Sequence, residues 1–518
     1  MMNIMKTVIV LLLLFLTPGI SLSEPTLTQK VLIGYELAQD WDLKAAEKLS
    51  NKLLKEYPKS GDAHFLSARI EFLKGNYERS WEILKRVGDN FKEIEDFKKR
   101  VDATRKAAKN FVSFETDHFL IRYEEGPDEV LLHYAQEVLE KSYQVLGDII
   151  GYYPEEKVLV EIYPDRQPFS KISPLTLKDI LTSGTVALCK YNRVMLISPG
   201  SLVRGYNWMD TISHEYVHYL LTKKSRNRLP LWMHEGIAKL LESRWRGQTS
   251  YMTPIMQTIL SGALKNDYRV PLEDMMPSLA KLKTQKDVQL AYAEVSTMME
   301  YLVETRGIET LPKLLEDLAA GKKFEESFIG RAGSDIPGFQ NKWESWAKKK
   351  ELKYIPGIAP LTREFKTKNP LEPEKDYKGM STERAQDLTF LGDILKSRDH
   401  YSAAILEYLK AKKESTTHSP ILFNKIASTY IQTRKYDEAE QFLKESLEFY
   451  SDFHTTLANL GDLYFISERY DSAQKYLEEA VRINPFNPYI HVKLIELYDR
   501  LNMPEKKKLQ TQLFKFIN

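Results

Sequence analysis

Apolar residues recur every three or four positions along most of the chain, which is the spacing of helices that bury one face. Residues 24–110 and 384–518 keep this helical spacing throughout. The segment between them is mixed, because it also contains stretches that alternate like strands. These stretches are residues 112–123, 157–163, 185–189 and 193–197, with a helix over residues 128–150 after the first of them. The pattern predicts an α+β domain between two all-α segments, in a chain that is predominantly helical overall.

The C-terminal helical segment repeats itself about every 34 residues. Small residues recur in it at intervals of 35 and 34 positions, at Gly392, Ala427 and Gly461. This period resembles that of tetratricopeptide (TPR) repeats, in which pairs of helices stack into a solenoid. Three repeats are expected, with residues 488–516 as a capping helix or a partial repeat. Such arrays form a concave groove, which implies a bound peptide or partner protein; the alternative is an appendage that only stiffens the chain.

The N-terminal helical segment shows a weaker form of the same period. Gly34 and Ala68 are 34 positions apart, as are Ala46 and Ser80. Small residues are expected where paired helices approach closely. Residues 24–110 therefore resemble degenerate TPR repeats.

The mixed middle segment contains two histidines four residues apart, His214 and His218, with Glu215 next to the first. Residues four apart lie on one face of a helix, so both imidazoles can point at one metal ion. Zinc suits this pair because it binds neutral imidazole nitrogens, and Glu215 is placed to accept a proton from water. The flanking residues are apolar and predict a buried helix. The alternative is a buried helix whose histidines hydrogen-bond to their neighbours.

A third ligand is expected, because catalytic zinc sites commonly have three protein ligands. Glu235 is favoured, since it falls in the apolar stripe of a second helix that begins near Pro230, and a lone buried carboxylate is costly without a cation. Two alternatives remain open. His234 is the rival ligand, and Glu235 could instead pair with Lys239 at the helix surface.

These two motifs, His214-Glu215-x-x-His218 and Trp232-x-x-Glu235-Gly236-x-Ala238, resemble those of gluzincin metallopeptidases, and more narrowly the peptidase MA-like group. The resemblance implies a zincin-like fold, zinc on His214, His218 and Glu235, and Glu215 as the general base. A third stretch beginning at Tyr292 resembles the helix that follows the site in related aminopeptidases. That likeness implies that Tyr292 stabilises the oxyanion.

The resemblance assigns three other parts of the site less fully: the oxyanion donor, the partner of His214 and the substrate-binding edge. Tyr251 and Tyr301 are weaker candidates for the oxyanion role. The residue that orients His214 is unassigned, because Lys239 stands where thermolysin-like enzymes carry an aspartate. The resemblance further implies an extended substrate paired along an edge strand beside the metal helix. Residues 185–189 are the expected edge, and the alternative is that this strand is covered.

Composition narrows the class of function. Among 518 residues, 74 basic and 72 acidic side chains give a net charge of +2, so nucleic acid is not an expected partner. The single cysteine, Cys189, excludes an intrachain disulfide and a cysteine-based zinc site.

The N-terminus carries a charged start and a short apolar run that resemble a secretory signal over residues 1–23. The run is too short for a spanning helix, which needs about 20 residues. The expected location is the periplasm or cell surface of a bacterium, and the alternative is an uncleaved anchor. No other spanning segment is expected.

The predicted organisation has five parts. They are a signal peptide (1–23), N-terminal TPR-like repeats (24–110), a gluzincin-like metallopeptidase domain (111–350), a linker or surface strap (351–383) and C-terminal TPR repeats (384–518). The expected function is an exported zinc metallopeptidase, most simply an endopeptidase, that cleaves a peptide or protein substrate. The alternative is a TPR scaffold whose metal-binding domain no longer catalyses.

Overall fold

The computed structural model describes residues 25–88, 91–276, 278–366 and 380–518. The predicted signal peptide and residues 367–379 of the predicted linker lie outside the described residues. Within the described part of the chain, no helix is both long and apolar enough to cross a membrane. The predicted domain boundaries stay predictions.

Among its described residues, the N-terminal arm contains helices and turns and no strand, as its apolar spacing predicts. Its first two helix pairs pack closely, and Gly34 lies directly against the Leu66 side chain, where a larger residue would collide. This is the close approach expected of the small residues 34 positions apart. The helices of the arm are α1 (Leu27–Gln39), α2 (Leu43–Glu56), α3 (Gly61–Leu73), α4 (Tyr77–Leu84) and α5 (Lys92–Ala107).

A mixed five-stranded sheet follows the arm, with the order β1-β2-β3-β5-β4. β2, β3 and β5 are parallel, whereas β1 and β4 pair antiparallel at the two edges. The turn between β4 and β5 has positive φ at Tyr191 and Asn192, as a two-residue type I′ hairpin requires. The strands are β1 (Phe111–Glu115), β2 (Phe119–Glu124), β3 (Val158–Tyr163), β4 (Ala187–Lys190) and β5 (Arg193–Ile197).

Two strand predictions are wrong in detail. The alternating stretch 112–123 is a hairpin of two strands rather than one, because Thr116 turns the chain: its side chain accepts a hydrogen bond from the backbone N–H of Phe119. β3 is buried along its whole length rather than half-buried. Its Glu161 is buried because Arg193 pairs with it at 2.9 Å and Tyr77 of the N-terminal arm donates to it at 2.5 Å.

Helices cover the sheet and continue to residue 347. The predicted helix over 128–150 is confirmed, and it ends at Gly151, whose φ of 69° is left-handed. α7 and α8 have no counterpart in the sequence prediction. The helices are α6 (Val130–Ile150), α7 (Arg166–Ile172), α8 (Leu177–Ser183), α9 (Trp208–Ser225), α10 (Leu231–Leu241), α11 (Pro254–Lys265), α12 (Gln285–Arg306), α13 (Thr310–Ala319), α14 (Phe324–Ala332) and α15 (Ile336–Ala347).

The C-terminal arm consists of four helix pairs among its described residues. The predicted cap over 488–516 is therefore a complete pair, because the left-handed residue Asn502 turns the chain between its helices. The arm shares one hydrophobic core with the middle domain. Its helices are α16 (Glu383–Ser397), α17 (Tyr401–Glu414), α18 (Pro420–Gln432), α19 (Tyr436–Phe449), α20 (His454–Ile466), α21 (Tyr470–Ile483), α22 (Pro488–Arg500) and α23 (Pro504–Phe514).

Candidate functional site

Helix α9 carries both predicted histidine ligands on one face. It begins after Asn207, whose side chain accepts a hydrogen bond from the backbone N–H of Asp210. The Nε2 atoms of His214 and His218 lie 3.2 Å apart, since side chains one turn apart point in the same direction. Two imidazole nitrogens this close can share one proton or bind one cation.

Glu235 on α10 completes a triangle with the two histidines. Its Oε2 atom lies 3.6 Å from Nε2 of His214 and 3.5 Å from Nε2 of His218. In a tetrahedral zinc site with bonds of about 2.0–2.1 Å, neighbouring ligand atoms are about 3.3 Å apart. The three observed distances of 3.2, 3.5 and 3.6 Å match that spacing. Among the described residues, no second group of three such ligands occurs.

The electrostatics of this His-His-Glu cluster also fit a cation. Oε2 of Glu235 is buried without a well-formed hydrogen bond to any described residue. Burial lowers the pKa of His214, but the carboxylates of Glu235, Glu242 and Glu215 outweigh burial and raise it to about 10. A buried site with this excess of carboxylates favours positive charge, which a divalent metal ion supplies.

Neither alternative to Glu235 as the third ligand is found in the structure: His234 does not join the cluster, and Glu235 does not pair with Lys239. The ring of His234 is 5.6 Å from that of His218, and burial lowers the pKa of His234 to about 3. Lys239 does not pair with Glu235, because its ammonium bonds to Glu242 instead. Glu235 is therefore the residue that the fold aims at the histidines.

Glu242 is a site residue that the sequence prediction missed. It caps the end of α10, and its Oε2 atom lies 3.1 Å from Nδ1 of His214. A carboxylate only accepts hydrogen bonds, so Nδ1 is the donor and Nε2 is left free as a ligand. The signal in the sequence is its position seven residues after Glu235, two turns along the same helix face.

Glu215 lies at the cluster and against the sheet edge. Burial raises the pKa of its carboxyl group, and a hydrogen bond with the backbone of Cys189 on β4 partly offsets this rise. A raised pKa brings a carboxylate closer to the value that suits a general base near neutral pH. β4 is an edge strand of the described sheet, as predicted, and Glu215 lies against its residue Cys189.

Tyr292 reaches the same place from α12. Its ring stands edge-to-face on His214 with the centroids 6.3 Å apart, and its hydroxyl group interacts with Glu235. Burial, together with the nearby carboxylates, raises its pKa well above 10, so the phenol keeps its proton and can donate it in a hydrogen bond. Neither weaker candidate contacts the cluster: Tyr251 lines the cleft but donates its hydroxyl to Glu300, and Tyr301 packs against Trp346.

The close packing of α10 on α12 brings Tyr292 to the cluster. Gly236, next to Glu235, has no side chain, and a methyl group there would collide with the backbone oxygen of Val295 and lie 2.8 Å from Met299. The glycine of the second motif is thus explained by the contact between these two helices.

A cleft of about 1520 Å³ opens from the cluster towards the C-terminal arm. His214, Glu215 and Tyr292 line this cleft. Residues of the C-terminal arm, including Asp452 and Lys475, line it as well. The sequence gives no sign of this arrangement, because it depends on how two distant segments pack together.

Comparison with known proteins agrees with these features. Residues 140–349 match the Peptidase MA superfamily. Residues 419–485 match the tetratricopeptide repeat family model. The predicted resemblance is confirmed in both parts, and the chain combines a Peptidase MA domain with TPR repeats. These matches suggest a metallopeptidase with a metal cofactor.

Individual relatives are distant. The protein YhcO of Bacillus subtilis, which is described as uncharacterized, is 21% identical over 239 residues, covering 43% of this chain and 59% of YhcO. Native yeast LTA4 hydrolase is 13% identical with a TM-score of 0.30, over 78% of this chain and 66% of that one. PilF of Pseudomonas aeruginosa is 13% identical with a TM-score of 0.24, over 50% of this chain and 89% of that one.

Proposed function

We propose that this chain is an exported, zinc-dependent metallopeptidase that hydrolyses peptide bonds within the cleft. The observation that carries the proposal is the convergence of His214, His218 and Glu235 at the spacing of zinc ligands, with Glu215 beside them. A purely structural metal site has no need of an additional buried carboxylate, which favours a peptidase over a scaffold with a retired domain.

Each residue around the metal site has its own role in the proposed reaction. When bound, zinc supplies a Lewis acid that polarises a carbonyl group and acidifies water. Glu215 accepts a proton from the attacking water and passes it to the leaving amine. Tyr292 donates a hydrogen bond to the oxyanion that develops on the scissile carbonyl. Glu242 holds the imidazole of His214 in the tautomer whose Nε2 atom is free.

The edge strand β4 is the surface on which we propose that substrate binds. Backbone pairing along an open edge holds a peptide in an extended form without requiring a particular sequence. Glu215 lies beside Cys189 of this strand, so a peptide paired there runs past the general base.

The C-terminal arm contributes to the same substrate site. Nε1 of Trp208, the first residue of α9, donates to the backbone oxygen of Arg482 at 2.8 Å, and Phe486 packs on Gly200. These contacts fix the arm against the metal-bearing helix, so its inner face forms a wall of the cleft. A protein partner on the groove of the TPR repeats remains part of the proposal.

The test is Glu215→Gln, which keeps the size of the side chain and leaves the three ligands intact. We expect zinc content to be unchanged and peptide cleavage to fall by roughly 10²–10⁴-fold, the usual contribution of a general base. Glu344→Gln is the matched control, since Glu344 pairs with Arg269 and Lys348 away from the cleft. Cleavage that survives Glu215→Gln, or a wild type that hydrolyses only esters, would contradict the proposal.

Export is proposed only because residues 1–23 resemble a secretory signal, with a charged start and a short apolar run. The check is cell fractionation of the full-length chain, with N-terminal sequencing of the mature protein. Recovery of the unprocessed chain in the cytoplasm would contradict it.

A further inference from the structure

A segment between the Peptidase MA domain and the C-terminal arm also lines the cleft. It consists of residues 356–366 and is called the strap. At one end, the backbone of Glu364 accepts a hydrogen bond from Val203 at 2.9 Å, and Lys366 donates to Ser201 at 2.8 Å. The strap is thus paired like a short strand with the loop before α9.

The other end of the strap is tied to the repeats. The backbone N–H of His418 donates to the oxygen of Gly357 at 2.9 Å, and the hydroxyl of Tyr450 donates to the oxygen of Ala359 at 3.2 Å. Because both ends are held, the residues between them have a defined place in the cleft wall.

The strap has two charged residues that line the cleft together with His214 and Tyr292: Glu364, which pairs with Arg204 at 2.6 Å, and Arg363. Its guanidinium donates to the backbone oxygen of Gly184 and stacks over the ring of Tyr206, 5.2 Å from the ring centroid. The side chain remains exposed to the cleft. Two contacts therefore orient the guanidinium, and only one of its five N–H donors is bonded to a described residue.

No described carboxylate forms an ion pair with Arg363. Asp452 of the C-terminal arm and Glu242 at the cluster influence it electrostatically without reaching contact distance. An oriented guanidinium without a carboxylate partner, inside an active-site cleft, is suited to bind an anionic group of a ligand in a bidentate manner.

We propose that Arg363 binds a carboxylate of the peptide substrate and thereby selects which peptides the site accepts. The proposal rests on the peptidase function. Gly184 precedes the edge strand by three residues, and Cys189 of that strand lies beside Glu215. Five residues of chain span at most about 16 Å when fully extended, so the recognised carboxylate lies within about five residues of the scissile bond. Its source is either the chain end or an acidic side chain.

The experiment uses the full-length, zinc-loaded chain carrying Glu215→Gln, so that bound peptides stay uncleaved. Fluorescence anisotropy gives the affinity for labelled octapeptides in three forms: with a free terminal carboxylate, with a terminal amide, and with a terminal amide plus one internal Glu. Arg363→Gln is expected to weaken binding of a carboxylate-bearing form by about 10- to 100-fold, as loss of a charged hydrogen bond predicts. Affinity for the uncharged amide should not change. The form that responds identifies the source.

Two further variants separate recognition from anchoring of the strap. Arg363→Lys should restore part of the selectivity, whereas Arg398→Gln, at the exposed end of α16 away from the cleft, should have no effect. Equal weakening of all three peptides by Arg363→Gln, or equal affinity of the unsubstituted cleft for all three, would overturn the proposal. Carboxylate-selective binding in a chain whose wild type cleaves no peptide would uphold the Arg363 contact and refute the peptidase function.

Discussion

Replacing Glu242 by glutamine tests whether the end of α10 supports the metal centre. In the structure, Glu242 accepts a hydrogen bond from Nδ1 of His214 at 3.1 Å and also pairs with Lys239. Glutamine keeps the length of the side chain and an acceptor oxygen but removes the negative charge. The imidazole then loses the charged partner that fixes its tautomer and raises the basicity of Nε2.

The expected loss follows from one hydrogen bond to a charged group, which contributes about 1.5–3 kcal/mol. Measured losses of such supporting residues are roughly 10- to 100-fold in metal affinity, which corresponds to about 1.4–2.7 kcal/mol. Because an acceptor remains in Glu242→Gln, we expect about 10-fold weaker zinc binding. Glu242→Ala removes the acceptor as well and should approach 100-fold.

The assay is competition for zinc with a chromophoric chelator, on protein that has first been stripped of metal. Glu344→Gln serves as control again, since it also removes one charge from a Glu–Lys pair on a helix of the same domain. Zinc affinity equal to that of the wild type in both Glu242 variants would refute the supporting role.

Three further predictions concern α12 and the residues packed on it. Gly236→Ala should cost about 1–3 kcal/mol of stability, because the added methyl group overpacks against Val295. Gly262→Ala is the control and should be neutral or slightly stabilising, since its methyl group would meet only one contact at 3.9 Å. Equal melting temperatures of the two variants would contradict this prediction. Burial raises the pKa of Glu294 to about 8 from an ordinary 4.5, so the folded state loses stability as pH rises from 4.5 towards 8. Relative to Glu294→Gln, the free energy of unfolding of the wild type should therefore fall by about 3 kcal/mol between pH 4.5 and 7. If urea unfolding gives the same pH dependence for both proteins, the prediction is wrong. Tyr292→Phe should lower kcat by about 10²–10³-fold with zinc content unchanged, and an unaltered kcat would remove Tyr292 from the reaction.

The sequence predicts those parts of the site that depend on local geometry. The ligand pair four residues apart is set by the helix period. The TPR period in the C-terminal arm is likewise local, because each repeat buries its face on its neighbour. For these features, spacing alone indicates which side chains share a face.

Features that depend on distant packing are not predictable in this way. Glu242 is missed because Lys239 occupies the position where related enzymes orient the first histidine. Glu161 is placed on a solvent face by the alternation of β3, yet it is buried, since Arg193 and Tyr77 from other segments neutralise and bond it. The position of Arg363 in the cleft depends on a strap paired with residues more than 150 positions earlier.

The central claim is that His214, His218 and Glu235 hold one zinc ion. Its most direct test is elemental analysis of the purified protein after incubation with zinc and removal of the excess, with the wild type beside His218→Ala. About one zinc per chain in the wild type, lost in the variant while the fold is kept by circular dichroism, is the predicted result. Equal zinc content in both proteins, or none in the wild type, would contradict the account.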